Sequence, residues 1–162
     1  MASAPVAEEA TIDRLGREAF VTLFVAGDRF TADIEACCRM AGVSHSQYVA
    51  LWVLCLSDAP EGVPMGALVD GLLSRKADAT RLVDRLVAQG LATRAGSTSD
   101  RRVVLVAPTE AGRTCFERLT AQIKALHRRQ WAALSESEIR QLTHLLNKAL
   151  WADPALTSPL PT

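Results

Sequence analysis

Ala79, Leu82, Val83 and Leu86 recur at i, i+3, i+4 and i+7. That spacing puts them on one face of a helix and requires the face to be buried. The opposite face carries Ala77, Arg81, Asp84 and Ala88, with Thr80 and Arg85 on its flanks. Gly90 fits the left-handed position after the helix, and Leu91 falls where a Schellman motif packs an apolar residue back on Leu86. A short strand is predicted from Leu91 to Arg94. A second, Arg102 to Ala107, is rich in β-branched residues. Between them AGSTSD is turn chemistry. Pro108 is expected to stop the strand, and Thr109 to cap the next helix with Glu110 at its positive end. Helix, ribbon with an arginine-bearing tip, helix is the order a winged-helix DNA reader requires.

The flanking patterns supply the support. Ile12, Leu15, Ala19, Leu23, Phe30, Ile34 and Cys37 or Cys38 keep helical spacing up to Gly42. Ser44 and Gln47 form a capping box for a second helix so apolar that it should be buried all round. Pro64 suits the first turn of a third helix running to about Leu72, with Leu68, Val69 and Leu72 inward. Phe116, Leu119, Ile123 and Leu126 mark the inner stripe of a long helix, and Ser135 with Glu138 caps a last one. In that last helix Leu142, Leu145, Leu146, Leu150 and the following Trp151 exceed what one buried stripe needs. A two-fold dimer built from both chain ends, Ile12 and Leu15 included, would cover the excess.

Asp100-Arg101-Arg102, then Leu105, Thr109 and Gly112, resembles the D-x-R…L-x-x-x-T-x-x-G wing signature of the MarR (multiple antibiotic resistance regulator) family. Residues 80–94, TRLVDRLVAQGLATR, are similar to its recognition helix and first wing strand. The resemblance covers roughly residues 10 to 151. It implies a mainly α fold with a small β-wing: about six helices, a two- to three-stranded antiparallel sheet, and dimerisation helices from both ends. Residues 43–109 would form the winged helix-turn-helix, 9–42 and 110–151 the dimerisation region, and 1–8 and 152–162 loose tails. One departure is the start of the recognition helix. The family usually has Ser or Thr after a glycine-containing turn, and this chain has Leu73-Ser74-Arg75-Lys76.

On DNA, Thr80 and Arg81 can reach base edges in the major groove, and Ala77 permits close approach. Lys76 and Arg85 suit phosphates. Asp84 on the same face would repel DNA unless paired, and Arg81, three residues before it, is the expected partner. By resemblance, Arg102 enters the minor groove, Asp100 holds it, and Arg101 and Arg94 serve the nearby backbone. Three to four phosphate contacts per subunit imply a salt slope near −6 for a dimer, on a pseudo-palindromic operator.

Composition changes little in this picture. The chain has 162 residues, 49% hydrophobic, and net charge zero. The charge is uneven: residues 1–61 hold four arginines against nine acids, and 62–113 hold eight basic residues against five acids. The positive excess therefore lies on the predicted reading head. Neither an apolar run of membrane-spanning length nor a secretory signal is read from the sequence, so a cytoplasmic protein is expected. Cys37, Cys38, Cys55 and Cys115 form no C-x-x-C pair and are expected as free thiols.

No Gly-rich phosphate loop or H-E-x-x-H is present, and His45, His127 and His144 lack metal or triad spacing. The expectation is a regulator without enzymatic activity, cofactor or metal. The resemblance also implies release from DNA by a small, often aromatic or phenolic effector. Arg39, His45, Tyr48, Trp52 and His127 are the candidates to contact it. Two alternatives remain: thiol-based redox sensing through Cys37 or Cys38, and a winged-helix module that binds protein instead of DNA.

Overall fold

The computed structural model describes residues 4–72, 76–97, 100 and 102–150, without the side chains of 4–10, 70, 71 and 76–78. Six helices and three strands follow in the order α1 (Ala4–Met40), α2 (His45–Leu56), β1 (Val63–Pro64), α3 (Met65–Gly71), α4 (Lys76–Ala88), β2 (Ala92–Gly96), β3 (Val104–Pro108), α5 (Glu110–Gln130) and α6 (Glu136–Leu150). No helix among the described residues is long and apolar enough to cross a membrane.

Helix α1 begins at Ala4, inside the stretch expected as a loose tail. Pro5 lies in its first turn, where the missing N–H costs nothing, and VAEEA behind it holds good helix formers. The helix passes through Gly27 without a break. It ends where Gly42, at φ 79°, lets Val43 donate to the Cys38 carbonyl. The expected Ser44–Gln47 capping box then opens α2, each side chain bonding the other's backbone N–H.

The core gathers Leu51 and Leu54 of α2, Leu68 and Leu72 of the α3 segment, Ala79, Leu82, Val83 and Leu86 of α4, Val106 of β3, and Phe116 and Leu119 of α5. The apolar stripes read for α2 to α5 thus meet one another here. Helix α2 is less enclosed than its composition suggests, because Trp52 and Leu56 face outward. Its buried Gln47 is satisfied by Gln89 at 2.7 Å, and Gln89 donates in turn to the Gly42 carbonyl at 3.1 Å. This polar chain fastens the end of α1 and the start of α2 to the end of the recognition helix.

The antiparallel sheet has the order β1-β3-β2. Val63 pairs with Val106 on one side of β3, and Arg94 with Val106 on the other. Both wing strands lie one to two residues later in the chain than predicted, and Pro108 is the last residue of β3 rather than its stop. Being at the strand's end, opposite Ala92, its missing N–H is tolerated. Helix α6 has none of its residues buried.

Candidate nucleic-acid interface

Helix α4 ends as its sequence requires. Gly90 has φ 70°, Leu91 donates to the Leu86 carbonyl at 2.9 Å, and Gly90 to that of Val87, which is the paired bonding of a Schellman motif. The buried stripe fixes the helix's rotation, so Thr80, Arg81, Asp84 and Arg85 all face solvent. Arg85 Nε donates to the Arg81 carbonyl at 3.3 Å.

Thr109 closes the base of the wing. Its Oγ1 accepts from Gly112 N at 3.0 Å and donates to the Gly90 carbonyl at 2.6 Å, and its N–H donates to the Leu91 carbonyl. Gly112 packs so close that an added Cβ would stand 2.0 Å from the Leu91 oxygen. Thr109 and Gly112 of the T-x-x-G signature therefore lock α5 against the turn that follows the recognition helix.

Two roles expected at the wing are revised. Asp84 pairs with Arg94, not Arg81: Arg94 Nη1 lies 2.5 Å from Asp84 Oδ1, and Nη2 donates to the Thr80 carbonyl at 3.1 Å. The reason is reach. Arg81 points into solvent from the same helix, while Arg94 crosses from β2 and approaches α4 side-on. Its guanidinium is thereby engaged with α4. Asp100, for its part, accepts from the backbone N–H of Arg102 at 2.9 Å, and no ion pair among the described residues joins the two side chains. Val103 N donates to the Asp100 carbonyl, so the aspartate shapes the turn and leaves the exposed Arg102 guanidinium free to project. Lys76 and Ala77 lie on α4, but their side chains are outside the described residues, as are Ser74, Arg75 and Arg101 entirely.

The five effector candidates lie on three helices, Arg39 on α1, His45, Tyr48 and Trp52 on α2, and His127 on α5. Tyr48 stacks on Phe116 at 6.0 Å between ring centroids, and its hydroxyl meets Thr120 Oγ1 at 3.2 Å. It is a core aromatic with its polar end satisfied. Arg39 pairs along its own helix with Glu35, and His127 contacts Gln130. His45 is half-buried at the start of α2, and Trp52 is exposed. A cavity of 820 Å³ lies between α1 and α5 and is lined by residues such as Val25, Arg29, Phe30, Leu126 and Arg129. Helical periodicity alone could not reveal it, because it is formed by two helices about a hundred residues apart in sequence. Burial raises the Cys38 thiol to about 11, with smaller contributions from Cys37, Cys115 and Glu35. A thiol held neutral in this way is a poor nucleophile.

Of the residues expected at the dimer interface, Ile12, Leu15, Leu145 and Leu150 are exposed, Leu142 and Leu146 half-buried. Trp151 lies outside the described residues. Phe20, Val21, Leu23, Phe24 and Val25 extend the open apolar surface along α1.

Recognition helix, wing and capped α5 together define a winged helix-turn-helix protein. The MarR family model matches residues 41–103, which span the reading head. Over these residues the chain matches the MarR family of DNA-binding transcriptional regulators, and its other similarities point the same way. It is 29% identical over 107 residues to the HTH-type transcriptional repressor MdtR of Bacillus subtilis, covering 66% of this chain and 67% of that one. To the repressor IacR of Pseudomonas putida it is 25% identical over 118 residues, 73% and 69% of the two chains. The fold is shared with CouR from Rhodococcus jostii, solved with p-coumaroyl-CoA (TM-score 0.71, 24% identity, 89% and 98% coverage). It is shared equally with a mutant MarR from E. coli, solved with operator DNA (TM-score 0.71, 22% identity, 91% and 99% coverage).

Proposed function

We propose that the protein is a homodimeric, sequence-specific repressor that leaves its operator when a small aromatic or phenolic molecule binds. The observation that carries the DNA-reading part is the common exposure of Thr80, Arg81, Arg85 and Arg102 on the helix and wing, with the Asp84 carboxylate on that helix paired to Arg94. Thr80 and Arg81 read base edges, Ala77 allows close approach, Lys76, Arg85 and Arg101 hold phosphates, and Arg102 enters the minor groove. With Arg94 engaged elsewhere, about three phosphate contacts per subunit remain. Six per dimer give a slope of log affinity against log salt near −5.

Pairing is supported by α6. An isolated helix of its length is marginal in water, and none of its apolar stripe is fully buried: Ile139, Leu142 and Leu146 are half-buried, Leu145 and Leu150 exposed. The open surfaces of α1 and α6 on a second copy supply the missing cover, and two reading heads then meet half-sites about one helical turn apart. Residues 9–42 and 110–151 form the dimerisation region in this reading, and 43–109 the reading head. Release by a small molecule is supported by the relatives: CouR is described with p-coumaroyl-CoA bound, and Bordetella bronchiseptica BpsR with DNA binding regulated by 6-hydroxynicotinic acid.

The test is genome-wide selection of DNA fragments by purified protein, then competition binding on the selected duplex with and without aromatic acids. An inverted repeat should outcompete random duplex, and Arg81→Ala with Arg102→Ala should abolish the preference. Intact preference in that double variant would overturn the assignment.

A further inference from the structure

We infer that Arg94 is a positioning residue that sets the angle between the wing and the recognition helix, rather than a contact to DNA. The inference rests on the DNA-reading role proposed above. Arg94 belongs to β2, opposite Val106 in the ribbon, yet its guanidinium turns away from the strand and grips α4 at two places one turn apart. Nη1 holds the Asp84 carboxylate at 2.5 Å, and Nη2 holds the Thr80 carbonyl at 3.1 Å. A planar fork with two fixed donors suits such a double grip, and a lysine ammonium does not. The side chain is 28% exposed against 56% for Asp84, so the arginine forms the inner half of the pair.

The surroundings give the grip its importance. A cleft of 570 Å³ separates the wing from the helix-turn-helix, lined by Met65, Thr80, Arg94, Arg102, Val103 and Val104. The apolar packing that joins α4 to the wing, through Ala92 and Val106, lies at the wing's base. The ion pair spans the gap. Thr80, whose carbonyl is held, is also a residue assigned to base edges, so the clamp fixes the turn of α4 that reads sequence. It also offsets the negative charge of Asp84 on the exposed side of α4.

The distinguishing measurement is operator affinity over a range of KCl concentrations for wild type, Arg94→Ala, Asp84→Ala and the double variant. Deleting an acid from a DNA-facing helix ordinarily strengthens binding; here Asp84→Ala should weaken it several-fold. Arg94→Ala should weaken it about tenfold with the salt slope unchanged, because no phosphate contact is lost. The double variant should be no worse than Arg94→Ala, since both substitutions release the same clamp. Thermal midpoints of all four should agree within a few degrees, because a partly exposed pair adds little to stability. The inference is overturned if Asp84→Ala binds as tightly as wild type or more so. It is also overturned if Arg94→Ala lowers the slope by about two, one contact per subunit.

A wild type that prefers no duplex would defeat the regulator reading itself. The clamp is then judged by hydrogen exchange. Arg94→Ala should speed exchange at the wing amides of Ser97 and Val103, which bond to Val103 O and Asp100 O. Unchanged exchange there would refute it.

Discussion

Gly112→Ala sets two effects of opposite sign against each other. Gly112 is the third residue of α5, and alanine in a helix is favoured over glycine by up to about 1 kcal/mol. Propensity alone therefore predicts a more stable protein. The structure predicts the reverse, because the new methyl would lie 2.0 Å from the Leu91 carbonyl oxygen and 3.0 Å from its carbon. Ordinary contact needs more than 3 Å, so the start of α5 must retreat by about 1 Å, and both partners are backbone. Overpacking of this kind costs about 1–3 kcal/mol. The retreat also stretches the 3.1 Å bond from Thr109 N to the Leu91 carbonyl and the 2.6 Å bond from Thr109 Oγ1 to the Gly90 carbonyl, at roughly 1 kcal/mol each. Clash and lost bonds outweigh propensity, leaving a net destabilisation of about 2–3 kcal/mol. For a chain of this size that lowers the thermal midpoint by about 5–10 °C. Calorimetry and urea unfolding at one fixed protein concentration measure it, since pairing makes stability concentration-dependent. A Gly112→Ala protein as stable as wild type would show that the T-x-x-G glycine is not held by this close approach.

Thr109→Ala should cost about 1–2 kcal/mol in the same urea assay, and Thr109→Ser much less, because serine keeps the oxygen that serves Gly112 N and Gly90 O. The raised Cys38 thiol favours the folded state below the unfolded thiol's value near 9. Stability should therefore fall as pH climbs from about 9 to about 11, and Cys38→Ala should flatten that limb in urea titrations at graded pH. Native protein should react with iodoacetamide at Cys38 no faster than it unfolds, as peptide mapping can follow. Leu145→Glu with Leu150→Glu should shift sedimentation from dimer to monomer and remove operator binding, while leaving the helical signal of α2 to α5.

The buried stripe of α4, its glycine stop and the caps at Ser44, Thr109 and Ser135 were legible because each depends on residues within about one turn of one another. The signature Asp100, Thr109 and Gly112 fixed the wing's location for the same reason. What escaped depends on partners distant in sequence. β1 is two residues long and exists only because Val63 and Pro64 meet Val106 and Leu105; nothing in its own composition marks a strand. Arg94 and Asp84 lie ten positions apart, across a helix end and a turn, so spacing favoured the wrong partner, Arg81. The Gln47–Gln89 bond spans forty-two positions and escaped for that reason. Tyr48 and Trp52 were indistinguishable as aromatics on one helix, and only the fold buries the first against Phe116 while leaving the second outside.

The bare apolar surface of α1 and α6 shares no residue with the arginine-bearing surface of α4 and the wing. Assembly and reading can therefore fail independently. A copy blinded at Arg81 and Arg102 would still recruit an intact copy and spoil it, so such an allele should act dominantly in a cell that also carries the normal gene. A copy crippled at Leu145 and Leu150 would be left alone, and its defect should be recessive.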